Sequence, residues 1–261
     1  GESGGVFLGA APNEYGQLLL DCGIVPNGHM ATGNAASIIA GRVSYTLGWN
    51  GPCTVVDTAC STGLVAVHLA CQSLRAGESN IALAGAVNLM LSPLSTVIIS
   101  QNGMLAPDGR CKVFDATADG YVRSDGAAVI ALKRLSDAVR DGDHVLAVVR
   151  GSAMVHDGHS QGLTAPNGAA QQVVIRRALA AARVAPEEVG YVETHGTGTS
   201  LGDPIEVAAL AATYGAAQRR EGPLYIGGVK ANVGHCEVAA RMAGLLKLVL
   251  SLQHGQLTPQ I

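Results

Sequence analysis

Cys60 stands in the run VVDTACSTG, and two histidines occupy loops of small residues, His195 in HGTGT and His235 in KANVGH. A thiol is a useful nucleophile as its thiolate, which the partial positive charge of a helix N-terminus favours. Two imidazoles beside such a cysteine stabilise a developing oxyanion as donors, or move a proton. The Gly, Thr and Asn around them let a substrate arm approach the backbone. Lys230, in the same run as His235, adds a fixed positive charge that either holds the pair's protonation and geometry or makes an ordinary ion pair. A lone Cys or His is more often structural, and the other five cysteines and six histidines lack a comparable setting. Cys71, for example, falls in the apolar stripe of a helix.

Three segments of one layout must position these groups, each a short β-prone strand, a turn of small polar residues, then a helix rich in Ala and Leu. In CTVVDTACSTGLVAVHLACQSLRAG, Leu64, Val67, Cys71 and Leu74 recur at steps of three and four, which predicts a helix ending at Gly77 with Cys60 at or next to its N-terminus. In VGYVETHGTGTSLGDPIEVAALAATYG, the preferences of Asp203, Pro204 and Glu206 place them at N-cap, N1 and N3 of a helix, with His195 on the loop before it. In LYIGGVKANVGHCEVAARMAGLLKLVLSLQHG, Val238, Met242, Leu245, Val249 and Leu252 mark a long helix preceded by His235. A further helix from about Ala169 to Arg183 carries Val174, Ile175, Ala178, Leu179 and Ala182 on one face and stops before Pro186. IALAGAV, AAVIALKRL and VLAVVRGSA are continuous apolar runs, expected of strands covered on both faces. Repeated strand-loop-helix units predict an α/β fold with a mainly parallel sheet and ligands at the carboxyl ends of its strands, where Cys60, His195 and His235 all fall.

Composition narrows the class. The 261 residues are 48% hydrophobic and 14% charged with a net charge of −3, and no basic stripe exists to follow a phosphate backbone, so nucleic acid is not an expected partner. No stretch of about 18 uninterrupted apolar residues occurs. The first residues lack the pattern of a signal peptide, so the chain reads as cytoplasmic, with no membrane partner. Six cysteines without a CxxC pair or regular spacing argue against a zinc site or a disulfide framework. Val6 to Gly9 begin a buried strand with almost no lead-in, and LTPQI ends the chain where another strand is expected, so both ends read as truncated.

The runs VDTACSTGLVAVHLACQSLRAG, GRCKVFDATADGYVRSDGAAVIALKRLSDA, GLTAPNGAAQ, ETHGTGTSLGDPIEV and VKANVGHCEVAA resemble, in order and spacing, the β-ketoacyl synthase (ketosynthase) domain of bacterial type I modular polyketide synthases. The likeness covers essentially the whole chain. It implies a thiolase-like fold, layered αβαβα from two similar βαβαβαββ halves, with about 1–143 ending the N-terminal half and about 144–261 forming most of the C-terminal half. It implies that Cys60 accepts the growing acyl chain as a thioester, that His195 and His235 promote decarboxylation of a malonyl-type unit and hold the oxyanion, and that Lys230 is the supporting cation. Thr197 and Thr199 match positions that contact the phosphopantetheine arm. Asp203 and Glu206 match an acidic pair of the motif and are taken first as helix caps. No cofactor is bound directly, since the substrates ride on the 4'-phosphopantetheine of an acyl carrier protein. The implied partners are that carrier, the acyltransferase and other domains of the same synthase, and a second copy in a homodimer formed near the strand before Cys60. The resemblance further implies strands beyond both ends and a Gly-Phe-Gly type loop after Ile261, so this fragment by itself is expected to be inactive.

Two positions depart from the family pattern. Arg241 stands where Gly is usual, on the packed stripe between Val238 and Leu245, where an unpaired buried Arg would be costly. VHDGHSQG replaces a pattern with Asn-Gln or Asn-His before Asp-Gly. A degradative thiolase would need a second cysteine, for which Cys236 has the wrong motif. A silent condensing domain would lack Cys60, and a discrete fatty acid synthase is set apart by the type I character of DTACS, HGTGTSLGDPIEV and GLTAPNG. From another class, the GHSQG run matches the G-x-S-x-G elbow of serine hydrolases and acyltransferases, but HDG before Ser160 breaks a strand and LTAPNG after it forms turns rather than a helix. Ser160→Ala should therefore leave acyl loading intact; a variant that no longer loads while Cys60 stays reactive would make Ser160 the nucleophile.

Overall fold

A computed structural model describes residues 3–11, 14–215 and 222–261. Two compact units divide the chain, the first made of Gly1–Asn102, Arg123–Leu146 and Cys236–Ala243, the second of Gly103–Val122, Ala147–His235 and Gly244–Ile261.

The first unit holds strands β1 (Gly4–Ala10), β2 (Cys53–Val56), β3 (Ile81–Asn88) and β4 (Gly126–Lys133) in the order β2-β1-β3-β4. β1 runs parallel to both neighbours, with Val6 opposite Cys53 and Leu83, whereas β3 and β4 are antiparallel. Its helices are α1 (Glu14–Asp21), α2 (Gly28–Asn34), α3 (Ala36–Leu47), α4 (Thr62–Ala76), α5 (Pro93–Gln101) and α6 (Leu135–Asp141). α3 and α4 pack on β1, and α4 also packs on β3. Val6, Ala66, Ala70, Ala82 and Ala84 are fully buried there, and their small volumes let helix and sheet approach closely. α4 ends where Gly77 turns left-handed at φ 77°, a conformation glycine adopts without strain. Val67, Cys71 and Leu74 lie on its buried face as their spacing predicts, but Leu64 is 42% exposed.

The second unit contains α7 (Gly168–Ala182), β5 (Tyr191–Glu193), α8 (Gly202–Tyr214), β6 (Tyr225–Gly227) and α9 (Lys230–Val233). A 3₁₀ turn, Glu237–Ala239, belongs to the first unit, as do the opening residues of α10 (Ala240–His254), which from Gly244 onward is part of the second. β5 and β6 pair in parallel, and α7 packs on α8. The side chain of Asn167 caps α7, accepting from the amides of Ala169 and Ala170. Val174, Ile175, Ala178, Leu179 and Ala182 form the partly buried face of α7, with Arg176, Arg177, Ala180 and Ala181 exposed, as the spacing predicts.

Three expectations change. β4 is not covered on both faces: Ala127, Val129 and Ala131 are exposed, and this edge strand runs against its neighbour. Residues 145–153 form no strand among the described residues, and Leu146 and Val148 are more than half exposed. Apolar content favours burial, but a strand also needs a neighbour to complete its backbone hydrogen bonds. The helix expected after His235 is divided into the 3₁₀ turn and α10, and its stripe does not reach Leu252, which is 71% exposed.

The first turn of α4 closes on the sheet over Gly9, where an added Cβ would lie 2.2 Å from Cγ2 of the fully buried Thr62 and 3.1 Å from the Cβ of Ala86. Gly9→Ala is expected to cost about 1–3 kcal/mol by overpacking, seen as a lower Tm in thermal unfolding. An unchanged Tm would show that Thr62 does not bear on β1.

Candidate active site

Cys60 lies in the first unit, partly exposed, immediately before Ser61, the N-cap residue of α4. The turn before it is tied locally. Asp57 Oδ1 accepts from the Ala59 amide at 2.9 Å, and Thr62 Oγ1 accepts from the Thr58 amide at 2.9 Å while donating to the Ala59 carbonyl at 2.6 Å. These bonds hold Ala59 at φ 52°, a left-handed conformation that costs a residue with a Cβ about 1–3 kcal/mol. The chain thus turns sharply from β2 into α4 with Cys60 at the bend. Cys71 is buried, which pushes its thiol pKa up and leaves it poorly reactive. Cys111 and Cys236 are buried as well, and Cys22 and Cys53 are exposed.

In the second unit the structure brings together His195, His235 and Lys230. The two imidazoles meet edge to face with centroids 5.8 Å apart, and the ring of Tyr121 lies 4.9 Å from that of His235. His235 is 1% exposed, and its backbone amide donates to the Val122 carbonyl at 2.7 Å. Lys230 is 2% exposed; its ammonium donates to the His195 carbonyl and lies 3.4 Å from His195 Nδ1. The cation is therefore held against both the backbone and the ring of His195.

Asp203 and Glu206 do not occupy the N-cap and N3 positions that their types suggest. α8 begins at Gly202 after Leu201, and both carboxylates bond outside their own helix. Glu206 accepts from the amides of His195 at 2.6 Å and Gly196 at 2.8 Å. Asp203, 4% exposed, accepts from the amides of Gly198 at 3.2 Å and Phe114 at 2.8 Å. The acids cap the loop that carries His195 rather than the helix that carries them. The α8 terminus is served instead by Thr199, whose Oγ1 accepts from the Gly202 amide at 3.2 Å. Thr197 is 7% exposed, and its hydroxyl lies 3.1 Å from that of Thr199.

Sequence reasoning passed over Tyr121, although it stands in the GYVRSDG run of a chain with 3% aromatic residues. It also passed over Glu193 and Lys247, which pair at 2.8 Å behind the histidine loop. Arg241 is partly exposed and has a polar or electrostatic partner, so the expected cost of a buried unpaired guanidinium does not arise. Around the departing run, Asp157 Oδ2 accepts from the amide of Asn167, the residue that caps α7. Among the described residues no strand leads directly into Ser160 and no helix follows it directly, and its hydroxyl donates to the Gly162 carbonyl at 2.6 Å. This is not a nucleophile elbow.

Family models for the N-terminal and C-terminal domains of beta-ketoacyl synthase match residues 1–138 and 146–261. The chain belongs to the beta-ketoacyl synthase family. It is 54% identical over 255 residues to a phenolphthiocerol/phthiocerol polyketide synthase of Mycobacterium bovis, covering 98% of this chain and 14% of that protein. It is 52% identical over 257 residues to polyketide synthase GfsA of Streptomyces halstedii, covering 98% of this chain and 3% of that one. Among solved structures, the ketosynthase from module 6 of the bacillaene synthase of Bacillus subtilis 168 matches with a TM-score of 0.92 at 41% identity, over 100% of this chain and 44% of that chain. This ketosynthase chain thus has the thiolase-like α/β fold, and it spans under half of that solved chain and a small part of the curated relatives.

Glu206→Gln removes a charge and one of two acceptor oxygens that face backbone N–H groups. It is expected to cost about 1–3 kcal/mol and to lower the Tm. Unfolding that is unchanged would show that solvent serves those amides equally well.

Proposed function

We propose that this chain is the ketosynthase region of a modular polyketide synthase, catalysing decarboxylative Claisen condensation in chain elongation. The observation that carries this reading is the edge-to-face His195–His235 pair with the buried Lys230 against His195. Cys60 supplies the nucleophile: its thiolate attacks the carbonyl carbon of an acyl thioester, and the carrier thiol leaves with a proton. A malonyl-type thioester then loses carbon dioxide, and the electron pair of the broken carbon–carbon bond passes into an enolate. His195 and His235 donate hydrogen bonds to the thioester oxygen as its negative charge develops. The enolate carbon attacks the Cys60 thioester carbonyl, the new carbon–carbon bond forms, and the cysteine leaves as thiolate. Lys230 keeps His195 in place and supplies positive charge nearby.

The substrates on this reading are carried by the 4'-phosphopantetheine of an acyl carrier protein, with Thr197 and Thr199 contacting the arm. Thr199, the less buried of the two, is the more accessible hydroxyl. The acyltransferase and other domains of the same synthase are the further partners, as the modular relatives suggest, and the enzyme works in the cytoplasm. No helix among the described residues is long and apolar enough to cross a membrane. A homodimer through the region of β2 is supported by the place of that strand at the sheet edge, with Cys53 and Thr54 exposed. Division into two halves near residue 143 is supported by the separate matches of the two family models.

Incubating the full-length synthase with an acyl thioester should give an acyl adduct on the peptide that carries Cys60, read by peptide mass spectrometry. Cys60→Ala should abolish both adduct and condensation. Condensation that persists in this variant, or no adduct on the Cys60 peptide of the parent, would sink the proposal.

A further inference from the structure

Behind the histidine pair lies a second buried charge group that the reaction does not itself require. Glu193 ends β5, two residues before His195. Its Oε1 accepts from the Val229 amide at 2.5 Å, and Val229 immediately precedes Lys230. Its Oε2 accepts from the Tyr191 hydroxyl at 2.6 Å and from Lys247 Nζ, on α10, at 2.8 Å. The Glu193 and Lys247 side chains are 4% and 9% exposed, and Nζ lies 5.7 Å from the centre of the Tyr191 ring. One carboxylate thereby joins the strand that leads to His195, the turn that leads to Lys230 and the helix that follows His235.

Two glycines make room for this group. A Cβ at Gly227 would fall 2.2 Å from the Tyr191 hydroxyl, and one at Gly244 would fall 3.0 Å from Glu193 Cγ. Burial alone would lower the Lys247 pKa, but its hydrogen bonds to Glu193 and Tyr191 outweigh that and hold it above the ordinary lysine value. Hydrogen-bonded through both of its oxygens, Glu193 is a fixed clamp between these elements.

We propose that Glu193, held by Lys247 and Tyr191, is a positioning residue that sets the distance between Lys230 and His195 and so serves decarboxylation selectively. The proposal rests on the reading of His195 and Lys230 given above. The β5–β6 pairing and the bond from the Thr194 amide to the Gly227 carbonyl at 2.8 Å align the two strands. Glu193 continues that alignment past the strand ends to the residue next to Lys230. Acyl transfer to Cys60 makes no use of that distance.

The test uses the full-length synthase with two assays, release of carbon dioxide from a malonyl thioester and acylation of Cys60 by an acyl thioester. In Glu193→Gln, the kcat for decarboxylation should fall about 10- to 100-fold through misplacement of the Lys230–His195 pair. KM and the acylation rate should stay near those of the parent. Glu193→Asp, too short to reach both Val229 and Lys247, should behave like Glu193→Gln. If Glu193→Gln does not give folded protein, the double variant Glu193→Gln with Lys247→Met removes both charges and should show the same selective loss. Unchanged decarboxylation, or an equal fall in both assays with a lower Tm, overturns the inference and leaves the pair a packing element. His195→Ala, run alongside, separates the two levels. If decarboxylation survives that variant, the underlying reading fails and the inference with it; if it is lost there but retained in Glu193→Gln, only the inference fails.

Discussion

The second unit is organised around a buried ammonium. Taking Lys230 to 2% exposure costs several kcal/mol in lost hydration unless partners replace the water. The His195 carbonyl is one such partner, and it exists only if the loop after β5 turns its backbone back toward α9. That turn exposes amide groups, and Glu206 and Asp203 accept from them. The place of Lys230 and the path of the loop are thus linked, and the loop path sets where the carboxylates on α8 reach.

The first unit solves a similar problem by strain rather than charge. Ala59 is held left-handed by hydrogen bonds among Asp57, Thr58 and Thr62, and the bend sets Cys60 at the start of α4. Small residues at the helix–sheet contact, with Gly9 under Thr62, allow the helix start to lie close to the strand. In both units the candidate site residues sit on short loops whose shape is fixed by side chains from neighbouring elements, the arrangement expected where geometry must survive without substrate.

Much of this was legible in the residues. The spacing of Val67, Cys71 and Leu74 located a buried helix face and that of Val174, Ile175, Ala178, Leu179 and Ala182 a partly buried one, because periodicity reports burial along a single element. The loops holding Cys60, His195 and His235 followed from the strand-turn-helix layout. Other features depend on partners distant in the chain, which no local pattern encodes. The antiparallel setting of β4, the lack of a strand at 145–153 and the division after His235 are of this kind. Asp203 and Glu206 misled for a related reason: their types and spacing suit helix caps, yet the nearest unsatisfied amides belong to the preceding loop. Glu193 and Lys247 carry no sequence signal at all, being separated by the whole of α8, β6 and α9.

On the proposed reading, the buried Lys230 serves the histidine chemistry rather than the fold alone. The direct measurement is carbon dioxide release from a malonyl thioester by full-length synthase carrying Lys230→Met, with circular dichroism and Cys60 acylation as controls. Decarboxylation is expected to fall by at least about 10²-fold, the scale of losing one preorganised electrostatic group, with folding and acylation retained. Decarboxylation at the parent rate in a folded Lys230→Met enzyme would contradict it.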